Sequence, residues 1–239
     1  MRFTSEQRHD DVLERRFTLD EIPGILWTPP APGPLILLGH PGGLDRMHPR
    51  LTARARHAAA NGYATATIEL PGAGDRPRIP IADQARADLR SALAAGEPVT
   101  DDIVNRLVLP LTDQAVPEWQ TTLDALLALP DINGPVGFSG GVIAIVTRLA
   151  AVDPRIRAAV LFAGSYVPRS TFEEARQVTI PLLVLLQWDD EGNDRQMALD
   201  LFDAFGSKEK TLHANLGGHT GIPSFEADDS TRFFTRHLK

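Results

Sequence analysis

The sequence predicts one α/β domain built on a mostly parallel sheet, with helices covering both faces. Three observations carry this expectation. Nearly all-apolar runs of buried-strand length alternate with segments of helical period along the whole chain. No Pro/Ser/Gly linker, charge block, internal repeat or low-complexity tract divides the 239 residues, a length that can bury a substantial core as one unit. Four chemically able residues, His40, Ser139, Asp190 and His219, fall at or just after the ends of predicted strands, where open parallel sheets place their sites.

Residues 14–19 and 24–28 read as a short antiparallel opening pair. Leu35-Ile-Leu-Leu-Gly-His40 is an apolar strand opened by Pro34 and broken by Pro41-Gly42-Gly43. A helix is predicted over 51–61, with Gly62 as its stop, and a strand over 63–70, ending at Pro71-Gly72-Ala73-Gly74. The helix predicted over 117–129 places Pro117 at its first position and Val116, Trp119, Leu123, Leu126 and Leu127 on one face. A strand then ends near Val136 and Gly137, followed by a helix from Gly140 to about Ala151. Residues 158–163 and 181–187 are two further buried strands. A helix over 194–205, a strand over 209–214 and a helix over 226–238 complete the chain.

Composition narrows the partners. The 43 % apolar and 23 % charged content is that of an ordinary globular protein, and a net charge of −7 argues against nucleic acid as a partner. Zero cysteines excludes disulfides, thiolate-ligated zinc and a thiol nucleophile. The N-terminal residues lack the apolar core of a secretory signal, and no apolar stretch approaches the ~20 residues of a membrane helix, so a cytoplasmic location is expected, with no membrane partner. No Walker A sequence, His-Glu-x-x-His or cluster of metal ligands is visible, and Gly72-Ala73-Gly74 is followed by Asp75-Arg-Pro77 where a dinucleotide-binding helix would have to begin.

The chemistry centres on Gly137-Phe-Ser139-Gly-Gly141, which puts Ser139 in a Gly-x-Ser-x-Gly frame between a strand and a helix. A nucleophile on such a turn projects its hydroxyl at the tip of a sheet from strained backbone, and glycines 137 and 141 remove side chains that would collide there. With 8 serines and 19 glycines the frame arises by accident in about 5 % of chains of this composition, so its weight depends on an acid and a histidine following it. His219, in the glycine-rich loop Leu216-Gly-Gly-His-Thr-Gly221, is the predicted base, since an imidazole can take the serine proton and return it to a leaving group. His57 and His213 fall within a helix and a strand, His9 and His237 near the termini, and His48 in a loop before the serine.

Asp189, Asp190, Glu191 and Asp194 cluster after the strand at 181–187. Asp190 is favoured as the carboxylate that orients His219; adjacent residues leaving a strand point to opposite sides, so at most one of Asp189 and Asp190 can readily face it. The oxyanion donors are expected to be the amides of Gly140 and Gly42, with Gly43 in reserve because Pro41 has no N–H.

His40-Pro-Gly-Gly43, Gly137-Phe-Ser-Gly-Gly141, Asp190 nine residues after Pro181, and Gly217-Gly-His219, its histidine 29 residues after that aspartate, together resemble the α/β-hydrolase superfamily over nearly the whole chain. The opening segments 24–30 and 33–40 resemble its dienelactone hydrolase-like and carboxylesterase branch, although the dienelactone enzymes use cysteine where this chain has Ser139, and the superfamily's usual His-Gly turn is His-Pro here. The resemblance implies a single-domain α/β-hydrolase fold with a small helical insertion at 77–115 and a shorter one at 165–179. The first carries Ile103, Val104, Leu107, Val108 and Leu111 at helix spacing and reads equally as a lid or as an extra helix packed on the core, with Leu107 and Leu111 as expected substrate contacts.

The implied activity is that of a serine hydrolase acting on a carboxylic ester or thioester of a small, fairly apolar substrate through an acyl-enzyme, with no cofactor and no metal. The same fold also supports carbon–carbon hydrolysis, lyase action and perhydrolysis, or a binding protein on a hydrolase scaffold, and nothing in the sequence sets an oligomeric state.

Overall fold

A computed structural model describes all 239 residues. The chain begins with three antiparallel strands, β1 (Arg2–His9), β2 (Val12–Leu19) and β3 (Ile22–Thr28). Asp10 and Asp20, at the two hairpin turns, have φ of 53° and 51°, a conformation that aspartate tolerates better than most side chains. Parallel strands follow: β4 (Gly33–Gly39), β5 (Ala64–Ile68), β6 (Ile132–Gly140), β7 (Ile156–Phe162), β8 (Leu182–Gln187) and β9 (Lys210–Asn215). All nine form one sheet in the order β1-β2-β3-β5-β4-β6-β7-β8-β9, antiparallel up to the β3–β5 pair and parallel beyond it.

The helices are α1 (Leu44–Ala60), α2 (Pro80–Ala95), α3 (Asp101–Leu127), α4 (Ile143–Val152), α5 (Arg169–Gln177), α6 (Arg195–Ala204) and α7 (Phe225–Leu238). They bury two separate apolar layers. One packs Val108, Trp119, Leu123, Ile145 and Leu201 against one face of the sheet, and the other packs Leu51, Ala55, Phe234 and Leu238 of α1 and α7 against the opposite face. Parallel strands β4 and β7 are apolar without alternation because both of their faces are covered.

The structure departs from the sequence reading in four places. Strand β1 was not expected; its burial is low throughout, and it is held as an edge by pairing with β2 rather than by an apolar face. Helix α1 begins at Leu44, seven residues before the predicted start, because the buried Glu69 carboxylate reaches from beyond β5 to accept the Leu44 N–H at 3.1 Å. Burial raises the Glu69 carboxyl above the usual carboxylate range, with the Leu44 N–H opposing that rise.

Third, the helix predicted over 117–129 is the second half of α3, which starts at Asp101 and runs through Pro110 and Pro117. Each interior proline removes a backbone hydrogen bond at a cost of about 3 kcal/mol. Burial of Val104, Val108, Val116, Trp119, Leu123 and Leu126 contributes about 1.5–3 kcal/mol apiece and keeps the helix continuous. Within the 77–115 segment, α3 packs Val104 and Val108 into the core, with Leu107 and Leu111 against it. Fourth, α4 begins at Ile143, not Gly140, since β6 extends through Gly140.

Candidate active site

Strand β6 delivers Ser139 between β4 and β7, in register with Leu38 and Val160. Its neighbour Phe138 points to the α3 face and meets Trp119 edge-on at 5.3 Å, so Ser139 turns toward α1. The expectation of strained backbone at Ser139 is corrected. Only Asp10 and Asp20 among the non-glycine residues have positive φ, and the left-handed turn out of β6 is taken by Gly140 (φ +78°) and Gly141 (φ +85°). Glycine adopts that conformation without steric cost, which leaves the serine in extended backbone. A side chain at Gly141 would also come within 2.8 Å of Gly39, and one at Gly137 within 2.7 Å of Phe234.

Ser139 opens onto a cavity of about 600 Å³ beyond the carboxyl ends of β4, β6 and β7. His40, Arg54, Gly140, Val108, Phe162 and His219 also line it, and much of the wall is apolar. A cavity of this size suits a small molecule with an apolar body and a few fixed polar contacts.

His219 lies in the loop after β9 with its ring edge-on to Phe162, the centroids 5.5 Å apart. Its Nδ1 donates to Asp190 Oδ2 at 2.7 Å, and its Nε2 has no hydrogen bond within the protein. Asp190 is 8 % exposed, whereas Asp189 points outward to solvent. The Asp190 carboxylate also accepts from Gly192 N at 3.0 Å and Asn193 Nδ2 at 2.5 Å. Burial would raise its pKa, but the hydrogen bonds from His219, Asn193 and Gly192 outweigh burial and hold it below the usual value. The structure thus brings Asp190 to His219 and puts both histidine and Ser139 on one cavity, without a hydrogen bond between those two side chains. Catalytic hydrogen bonds of this kind are often loose before substrate arrives.

Three of the other histidines are occupied elsewhere. His48 bonds Glu14 at 2.8 Å, His57 bonds Thr231 at 2.9 Å, and His213 bonds Glu226 at 2.9 Å. His213, Glu226 and Asp229 bring three potential metal-binding atoms within 4.8 Å of one another, but Glu226 already joins α7 to β9 by accepting from His213 and Asn215. Buried His40 donates from Nε2 to the Ile68 carbonyl at 2.9 Å, and burial lowers its pKa, so the neutral ring is favoured.

Of the two expected amide donors, Gly140 is on the cavity wall, three residues before α4. Gly42 is in the turn between β4 and α1, and there the cavity is lined by Pro41 instead. Leu107 and Leu111 face a separate small cavity of about 60 Å³ with Pro41 and Val142, while Val108 is the α3 residue that reaches the large one.

Arg54 was not anticipated. It extends from α1, donates from Nη1 to the Gly39 carbonyl at 3.1 Å, and donates from Nη2 to both the Ser139 carbonyl at 2.7 Å and Ser139 Oγ at 3.0 Å. A faint signal existed. Met47, Leu51 and Ala58 form an apolar stripe at spacings of four and seven, and Arg54 is the one charged residue within it.

No protein-family model and no curated protein matches the chain. Solved structures do. A cold-adapted esterase from an Arctic intertidal metagenomic library, bound to polyethylene glycol, is 28 % identical over 100 % of both chains with a TM-score of 0.80. Est1E from Butyrivibrio proteoclasticus, with ferulic acid bound, is 11 % identical over 93 % of this chain and 98 % of its own, with a TM-score of 0.66. An acetyl xylan esterase from Paenibacillus sp. R4 is 13 % identical over 99 % and 87 %, also with a TM-score of 0.66. The chain has the α/β-hydrolase fold.

Proposed function

We propose that this protein is a hydrolase of carboxylic esters or thioesters of small, fairly apolar substrates, and that it works through an acyl-enzyme on Ser139. The observation that carries the reading is the Asp190–His219 hydrogen bond at the rim of the cavity that Ser139 also lines. A buried carboxylate on Nδ1 fixes the tautomer that leaves Nε2 as an acceptor, and such a nitrogen can take the serine proton. The esterase chemistry of similar structures adds to it.

In this mechanism Ser139 Oγ attacks the substrate carbonyl while His219 Nε2 accepts the proton. The oxyanion is held by backbone amides, with Gly140 the one on the cavity wall. His219 returns the proton to the leaving alcohol or thiol, and water then releases the acyl group by the same route. The apolar walls select an apolar acyl or alcohol portion, and no cofactor takes part.

A panel of p-nitrophenyl esters and acyl thioesters of increasing chain length, run beside fluorophosphonate labelling and peptide mapping, tests this. Turnover with the label on Ser139 is the expected result. Turnover without labelling of Ser139 would refute the mechanism, and neither turnover nor labelling would refute the hydrolase reading.

A further inference from the structure

Arg54 is a cation without a counterion. Each of Arg15, Arg76, Arg106, Arg148 and Arg155, the other arginines well covered by the fold, pairs with a carboxylate. Arg54 pairs with none, and the charged group that bears on it is Arg50, a like charge on the same cavity. Burial pulls its pKa down to about 10, which still leaves it protonated at neutral pH. Holding the Gly39 and Ser139 carbonyls requires only N–H donors, which a neutral amide could supply. A full charge, half-buried on the cavity wall with no anion beside it, calls for an anion that forms during the reaction. The reacting atom within its reach is Ser139 Oγ, 3.0 Å from Nη2.

We propose that Arg54 is a catalytic residue of the deacylation step, stabilising Ser139 Oγ as it becomes the leaving group. The proposal rests on Ser139 being the nucleophile. In the acyl-enzyme, Oγ is an ester oxygen and a weak acceptor. Water adds to the acyl carbon and gives its proton to His219 Nε2. When the tetrahedral intermediate collapses, the carbon–Oγ bond breaks and its electron pair passes to Oγ. The proton on His219 then transfers to Oγ, regenerating serine, and the acid departs. Arg54 stays protonated throughout and transfers nothing. Its hydrogen bond strengthens as charge builds on Oγ, so it favours the transition state over the acyl-enzyme. In acylation the hydroxyl oxygen already accepts this bond at 3.0 Å in the resting enzyme, so less is gained on reaching the transition state, and the larger gain falls on deacylation.

Rapid-mixing kinetics with p-nitrophenyl acetate, paired with intact-protein mass spectrometry of the quenched enzyme, separates the two steps. Two variants keep the test sound if one folds poorly: Arg54→Gln retains amide donors for the carbonyls but removes the charge, and Arg54→Lys retains the charge. Deacylation should slow about 10- to 100-fold in Arg54→Gln, with a larger burst and an acetyl adduct accumulating on Ser139, and less in Arg54→Lys. A clamp that merely shapes the strand ends would slow acylation and deacylation together, without added adduct, and that result overturns the proposal. So does a change confined to KM for carboxylate-bearing esters, which would make Arg54 a substrate-binding cation. If the wild-type enzyme forms no adduct on Ser139 and takes no fluorophosphonate there, the nucleophile assignment is what fails.

Discussion

Replacing Asp190 by Asn tests how the imidazole is held. Asp190 Oδ2 accepts from both His219 Nδ1 and Asn193 Nδ2, while Oδ1 accepts from Gly192 N. An asparagine has one acceptor oxygen for these three donors. With the oxygen toward His219, its NH2 group faces the Gly192 N–H, donor against donor. With the oxygen toward Gly192, the NH2 group faces His219 Nδ1 and forces the proton onto Nε2. That tautomer cannot accept from Ser139. Charge-assisted hydrogen bonds contribute about 1.5–3 kcal/mol each, and loss of the charge weakens all three.

We expect Asp190→Asn to lower kcat by about 10⁴-fold, the size of the loss when the corresponding residue is changed in serine proteases, or about 5.5 kcal/mol at the transition state. Folding stability should fall by only about 1–3 kcal/mol. The Asp190 pKa is lowered in the fold, so the ionised carboxylate stabilises the protein above the unfolded carboxylate pKa, and that contribution fades as pH falls through the lowered value. The gap in stability between wild type and Asp190→Asn should therefore narrow in acid. The assay is hydrolysis of one chromogenic ester by purified variants, with circular dichroism as the folding check and Asp189→Asn as the control. Asp189 is exposed, and its substitution should cost little. Near-normal turnover in Asp190→Asn beside a large loss in Asp189→Asn would refute this assignment.

Ser139→Ala should fold normally yet lose covalent labelling, keeping only the residual ~10³–10⁴-fold acceleration over water that binding and amide donors supply; labelling and turnover read this directly. Val108→Phe should shorten the preferred acyl chain because Val108 lines the large cavity, whereas Leu107→Ala, facing the smaller one, should leave the ester chain-length profile unchanged. Gly137→Ala should destabilise the fold by about 1–3 kcal/mol through overpacking, since its Cβ would approach Phe234 and Leu238 of α7 to 2.7 and 2.8 Å, and thermal or urea unfolding measures that loss.

What could be read from the sequence was whatever is encoded locally. Strands β4, β7 and β8 are apolar on both faces, so their runs stand out, and α6 and α7 carry one-sided apolar patterns. The acidic cluster after β8 was visible in the same way, but alternation left Asp189 and Asp190 equivalent, and only the resemblance chose between them. What was not legible depends on partners distant in sequence. Strand β1 is polar and owes its conformation to β2. The first two turns of α1 depend on a carboxylate 25 residues away. Glycines 140 and 141 share the turn out of β6, and no local rule says which residue of the frame takes positive φ. Arg54 carries no motif, and its partners lie on two strand ends 15 and 85 residues distant.

Those distant partners explain why one side chain can serve both scaffold and chemistry. Where a parallel strand ends, its last carbonyls leave the ladder and must find donors. At Gly39 and Ser139 the donor is the same guanidinium, so the tips of β4 and β6 are fixed to each other and to α1 by one planar group. Its position is set by Leu51, Ala55 and Ala58 packing α1 against the sheet. Ser139 gains from this because it is not on a strained turn. Without a left-handed φ to fix the direction of its side chain, extended backbone in β6 and the Arg54 hydrogen bond to Oγ define where the hydroxyl rests. In the proposed mechanism a fixed charge supplies the preorganisation usually stored in backbone strain, and, unlike strain, it responds to the electron density that would pass onto and off Oγ.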